Sequence, residues 1–256
     1  MTAVLFWKEM NALRILGLDT SGAVASVAIL DTEQHKLLGE HTIYTSRSHS
    51  QVIMPLCKNL LEDCKMSVKD VDCFAVAVGP GSYTGLRIGI SVVQGMAMVN
   101  NTPCIGVSTL EAMANRVFGA EHILSVIHAR GNLFYCAWFS YQIYMHYDPE
   151  FIDRATPDEL QTLDKIAEVV DHLEIHQRII VVGDGAEEFV KQYETLKGAK
   201  SERLRIAPPF LRLQSAVGVC HSAAEYCNSH KELPSASDLT ASYLQAVQIQ
   251  KKKSDL

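Results

Sequence analysis

The sequence has no apolar run approaching the ~20 residues of a membrane-spanning helix, no Cys-x-x-Cys pair and no excess of positive charge. The first absence excludes a helical membrane span. The second removes the knuckle spacing of a structural zinc site, so no metal is expected. The third counts against a protein that grips nucleic acid unaided: 23 Lys and Arg stand against 29 Asp and Glu, a net charge of −6. Any contact with RNA would have to be local or shared with a partner. What is present is ordinary globular usage, 48% apolar and 20% charged, which excludes disorder, collagen and coiled coil.

The seven cysteines are odd in number. Cys57/Cys64 and Cys220/Cys227 are each seven apart, two turns along one helix face and too far apart to bond to one another. A disulfide framework would be strange in a chain of 256 residues, so these four are expected to be reduced, buried packing residues in a cytoplasmic protein. The opening MTAVLFWKEM has no basic leader and no small-residue cleavage site. It reads as an extension before a start at Met10 rather than a signal peptide.

Periodicity predicts strands over 14–19, 24–30 and 37–44, then a helix over 49–64 with Pro55 inside it. Ser67-x-x-Asp70 is a capping signal ahead of a strand over 73–78. The loop Gly79–Gly85, a long helix to about Asn100, a strand over 103–107 and a helix from Thr109 to Phe118 follow. A second series has strands over 122–129 and 133–139, and a helix opened by Thr156-Pro157-Asp158-Glu159. A strand over 178–183, a helix over 186–197, a strand over 204–207 and a last helix over 215–228 complete it. The order implies an α/β protein of two ribonuclease-H-like units, with mixed sheets flanked by helices. The units are expected to divide as 10–108 and 109–214, with about 215–250 packing back on the first.

Gly79-Pro80-Gly81-Ser82-Tyr83-Thr84-Gly85 fails both the P-loop and the nucleophile-elbow patterns and reads as a tight turn capped by Ser82 or Thr84. In the helix after it, Leu86, Ile90, Val93 and Ala97 form one apolar face, and Gly85, Ile88, Gly89, Val92 and Met96 a second. Glycine inside a helix costs about 1 kcal/mol relative to alanine, so Gly89 and Gly95 need a compensating close approach. Two readings stand open: a helix sandwiched inside its own domain, or a protein–protein interface shared with Val52 and Leu56 of the preceding helix. On the interface reading, replacing Gly89 by Leu leaves the fold intact and blocks assembly.

Asp19-Thr20-Ser21-Gly22, Arg130-Gly131-Asn132 and Gly183-Asp184-Gly185 occur in the order of the two phosphate turns and the adenosine turn of an actin-like ATPase. His128 stands where such an enzyme wants a carboxylate for magnesium, which argues against hydrolysis by this chain alone. His172 and His176 have helical i, i+4 spacing but no third ligand, and Lys251–Lys253 reads as a solvated tail.

ILGLDTSGAVASVAIL, HSQVIMP and above all GPGSYTGLRIG closely resemble the bacterial TsaB (YeaZ) family of the tRNA threonylcarbamoyladenosine pathway. The likeness is strong from Arg14 to Arg130 and returns at DLTASYLQ. The resemblance implies an actin-like (ASKHA) fold and a non-catalytic, cofactor-free scaffold acting with TsaD and TsaE. It also implies self-pairing when alone, and tRNA reached only through the complex. TsaD would transfer threonylcarbamoyl to adenosine 37 of tRNAs reading ANN codons. Where the paralogue's metal motif resembles His-Met-Glu-Gly-His, this chain has Thr109-Leu110-Glu111-Ala112-Met113, which keeps only the carboxylate. The chain also departs from the family at His128-Ala129-Arg130 (family Asp-Ala-Arg) and at Ala241–Gln245 (family Pro-x-Tyr-Leu-Arg). The competing expectation is a small-molecule kinase or ATPase of the same fold, using Asp19, Arg130 and Gly183.

Overall fold

The computed structural model describes residues 12–44, 48–140, 152–174 and 176–244. Residues 1–9 and the Lys251–Lys253 tail lie outside them. The first sheet holds β1 (Arg14–Asp19), β2 (Val24–Asp31), β3 (Lys36–Tyr44), β4 (Cys73–Gly79) and β5 (Cys104–Ser108), in the order β3-β2-β1-β4-β5. The three opening strands pair antiparallel, and β4 and β5 add parallel to β1. This is the ribonuclease-H-like arrangement.

β1, β2 and β4 are buried along almost their whole length, so the sheet needs a cover on both faces. On one face lie α1 (His49–Asp63) and α2 (Tyr83–Ala97), burying Ile53, Leu60, Ile90 and Val93 against Leu16, Val27 and Phe74. The other face is covered from the far end of the chain. α7 (Ala216–Ser229) packs Val219, Cys220 and Ala223 on Ile15, Ala28 and Ala75. The fit is close, because a side chain on Gly17 of β1 would come within 2.6 Å of the Cys220 sulfur.

The second sheet runs β11-β10-β6-β7-β8, with β9 also on β7. Its strands are β6 (His122–Arg130), β7 (Leu133–Ser140), β8 (Asp153–Arg154), β9 (Glu159–Thr162), β10 (Ile179–Val182) and β11 (Leu204–Ile206). α4 (Leu163–His172) and α5 (Ala186–Lys197) cover one face around Phe134 and Phe189. On the other face α3 (Thr109–Ala114) inserts Leu110 and Met113 among Ile123, Phe139 and Val182. A four-residue helix, α6 (Pro209–Arg212), precedes α7. α3 also meets α7, where a side chain on Gly218 would strike the Ala112 carbonyl.

Two expectations change. The helix from Thr109 ends at Ala114, because residues 115–121 lead into β6 as turns. Thr156-Pro157-Asp158-Glu159 opens no helix, and α4 begins only at Leu163. The side chains that suggested a cap have other tasks: Thr156 Oγ1 accepts the Trp138 amide at 2.9 Å. Asp158 accepts from Ser108 and from Arg154, each at 2.6 Å. Pairing with β7 holds Glu159–Thr162 as a strand.

Candidate functional site

The three turns named from the sequence do converge. Ser21, Gly81, His128, Arg130 and Asp184 line a cavity of about 560 Å³ between the two sheets. They line it unequally. Asp19 and Thr20 are buried behind the wall, at 0% and 1% exposure. Asp19 Oδ1 accepts from the Ser21 amide (2.9 Å) and hydroxyl (2.6 Å), while Oδ2 is buried without a hydrogen-bond partner. Burial pushes its pKa from 3.8 up to about 6, against the Ser21 hydrogen bonds and the nearby His49, which pull it down. Asp184 is likewise pushed up by burial, against a hydrogen bond from Gln214 Nε2 at 3.2 Å.

Gly183 and Gly185 do not face the cavity. A side chain on Gly183 would strike the Val126 carbonyl, and one on Gly185 would lie 2.5 Å from the His128 amide. These glycines let the turn after β10 close on β6, and Asp184 between them carries the polar group. His128 Nε2 donates to the Gly131 carbonyl at 2.9 Å, within its own hairpin. Sequence reasoning missed Gln214 and His49. Gln214 is 1% exposed and so close that a side chain on Gly22 would meet it. His49 Nε2 donates to the Gly22 carbonyl at 2.8 Å. Gln214 lies far along the chain, and no local pattern marks it.

The helical surface needs a correction. Ser82 caps α2, accepting the Gly85 amide at 3.2 Å. A side chain on Gly85 would strike the Thr20 carbonyl, and one on Gly89 would lie 2.6 Å from Thr20 Oγ1 and 3.1 Å from Val76. Both glycines let α2 press on its own sheet and do not face outward. Met96 and Val52 are also buried, at 6% and 8% exposure. Residues 236–241 cover a further flank of α2, where Gln94 Nε2 donates to the Ala236 and Leu239 carbonyls.

What remains open is narrower. Ile88, Val92 and Leu56 are half-buried, Met54, Met98 and Val99 are exposed, and a side chain on Gly95 would meet nothing within 4 Å. At the head of α2, Tyr83 stacks on Tyr243 with ring centroids 5.1 Å apart, and Arg87 donates to its hydroxyl at 2.7 Å.

Thr109 and Met113 are fully buried in α3. Glu111 between them accepts from Arg154 Nη2 at 2.6 Å and Nε at 3.1 Å, so its carboxylate is engaged. His172 and His176 gather no third ligand. The first contacts the Glu168 carbonyl and the second lies 3.3 Å from Glu174. Among the described residues no group of three or more His, Cys, Asp or Glu could hold a metal ion.

The family described as "TsaD: tRNA N6-adenosine threonylcarbamoyltransferase" matches residues 31–247. The Escherichia coli tRNA threonylcarbamoyladenosine biosynthesis protein TsaB is 38% identical over 133 residues, covering 51% of this chain and 55% of that protein. TsaB of Buchnera aphidicola subsp. Schizaphis graminum is 28% identical over 188 residues, 72% and 83% of the respective chains. The chain spans about half the length of the first curated relatives it matches. A solved Pseudomonas aeruginosa protein, described as similar to peptidase YeaZ, superposes with a TM-score of 0.73 at 25% identity, covering 91% of this chain and 100% of its own. The family match covers most of the chain, and the curated and solved relatives agree with it: the chain belongs to the TsaD family and, within it, to the TsaB (YeaZ) proteins.

Proposed function

We propose that this chain is a non-catalytic scaffold in the making of N6-threonylcarbamoyladenosine at position 37 of tRNAs reading ANN codons, binding and activating the transferase TsaD. TsaE is the third component on this reading. One observation carries the non-catalytic part: where the paralogue is expected to bring two histidines to a metal, this chain buries Thr109 and Met113 and ties Glu111 to Arg154. A thioether and a hydroxyl sealed in an apolar core cannot polarise a transferred acyl group. The cleft supports the same reading. Asp19 is withdrawn from it, and Gln214 occupies the space beside Gly22.

The assembly part is carried by the open strip on α1 and α2. Ile88 and Val92 lie on the Gly95 side of α2 by helical spacing, Met98 and Val99 follow at its end, and Met54 and Leu56 are open or half-open apolar residues of α1. A strip of apolar side chains around a helical glycine suits close packing of a partner helix. The test uses exposed positions, so folding is not at stake. Met54→Glu with Gly95→Arg is expected not to lower the melting temperature and to lose TsaD capture at least tenfold, with tRNA modification falling in step. Undiminished capture would place the interface elsewhere. Incubation of the purified chain with ATP and Mg²⁺ is expected to give no turnover. A steady rate in the ~1–10³ s⁻¹ range of ordinary enzymes would overturn the scaffold reading in favour of a kinase or ATPase.

A further inference from the structure

At the end of the second sheet opposite the cleft, where β10 and β11 begin and α5 ends, lies a hollow of about 790 Å³. Arg178, Lys197, Lys200, Arg203 and Arg205 line it, with Glu202 as the one acidic lining residue. This inverts the balance of a chain whose net charge is −6. The cations are not equally available. Lys197 is paired with Asp171, and the Arg203 guanidinium donates to the Leu173 carbonyl at 3.1 Å and the Gln177 carbonyl at 3.4 Å. Glu121, near the rim, accepts the backbone amide of Arg178 at 3.0 Å. Arg178, Lys200 and Arg205 stand exposed; among the described residues none of their side chains forms an ion pair within 4.0 Å, and the Arg178 cation is felt at Glu121, whose carboxyl is held below its ordinary value first by backbone hydrogen bonds and then by that charge.

We infer that this hollow is a docking surface for the phosphate backbone of tRNA. Guanidinium and ammonium groups around a concave floor fit a polyanion whose charges recur along a curved strand. Arg203, held in place by backbone carbonyls, presents its remaining N–H groups without having to be ordered on binding. The site lies beyond the far end of β10 from Asp184 and shares no residue with the α1/α2 strip. A chain acidic overall keeps non-specific nucleic-acid binding low and confines contact to this one patch. The choice of tRNA among polyanions rests on the proposed role in tRNA modification, and the test separates the two.

Binding of a full-length unmodified tRNA transcript to the purified chain is measured by fluorescence anisotropy from 50 to 200 mM salt. The wild-type chain is expected to bind with a salt-dependent affinity. The triple variant Arg178→Glu/Lys200→Glu/Arg205→Glu is expected to bind at least tenfold more weakly, with the log–log salt slope reduced by about two to three. All three side chains are exposed, and an unchanged circular-dichroism melt confirms that the variant folds. TsaD capture is read in parallel and is expected to be the same for both proteins; its failure in the wild type would count against the scaffold reading alone. No tRNA binding by the wild type, or equal affinity and slope in the variant, overturns the inference. So does tighter binding to phosphatidylserine vesicles than to tRNA.

Discussion

The hydroxyl of Thr20, at the end of β1, donates to the carbonyl oxygen of Gly85, in the first turn of α2, at 2.8 Å in the buried interior. The bond exists only because Gly85 has no side chain to hold the two backbones apart. Gly85→Ala and Gly89→Leu are therefore expected to destabilise the fold itself, by at least the ~1–3 kcal/mol of an overpacked core. Urea unfolding measures this. A normal midpoint with assembly lost would restore the outward-facing reading.

Gly95 is the converse case. With nothing near its missing side chain, Gly95→Ala is expected to stabilise the free chain by ~0.5–1 kcal/mol through helix propensity alone. Thermal melting of the two proteins side by side decides it.

The contribution of Asp19 to stability should fall as pH rises across the weakly acid range. Asp19 has a folded pKa of about 6 against its ordinary 3.8. The folded state therefore holds its proton longer, and the linked stabilisation is complete below 3.8 and lost as pH climbs through about 6. At 1.36 kcal/mol per unit this amounts to about 3 kcal/mol. Glu225 in α7 follows the same sign: burial first, then Glu111, raise it from 4.5 to about 7. Asp19→Asn should flatten the pH profile between 4 and 6. Glu225→Gln should be more stable than wild type at pH 8 and indistinguishable from it at pH 4. Profiles of Asp19→Asn and Glu225→Gln that run parallel to the wild-type profile would refute the two assignments.

Arg154→Ala is expected to cost ~1–3 kcal/mol, because it leaves the half-buried carboxylates of Glu111 and Asp158 without their shared cation. Arg154→Lys should recover only part of this, since a single ammonium cannot reproduce the guanidinium fork. Denaturant midpoints of the three proteins give the ranking.

Thiol reactivity should divide the cysteines in two. Cys57 and Cys220 are buried, with pKa values pushed up to about 12, and should label only on unfolding. Cys64 and Cys227 are half-buried, which corrects the expectation that all four are sealed in the core. They should react in the native protein, as peptide mapping after brief alkylation will show.

The sheets were legible because their strands are short apolar runs between turn residues, and β1 and α5 fall where periodicity places them. The convergence of Ser21, Arg130 and Asp184 was legible from the order of their turns. Helical spacing showed two apolar faces on α2 and placed Leu86, Ile90, Val93 and Ala97 against the chain's own sheet, where they are buried, but it did not show that Gly85, Gly89 and Met96 of the second face are covered by the same chain. Thr20, Val76 and residues 236–241 settle that from distant positions in sequence. Gln214 was invisible for the same reason. The stretch 156–159 misled because a Thr-Pro-Asp-Glu run suits a helix start, while strand pairing to β7 outweighs it.

The helix that closes the first sheet is made only after the whole second sheet. Ile15, Ala28, Ala75 and Ile105 emerge early in synthesis, yet the face they form waits for Val219, Cys220 and Ala223. More than a hundred residues, including the entire second sheet, are translated in between. A ribosome-bound N-terminal half therefore presents an apolar sheet face that still lacks its covering helix, and a chain cut short before α7 keeps the α1/α2 core but leaves the opposite face of the first sheet without that cover.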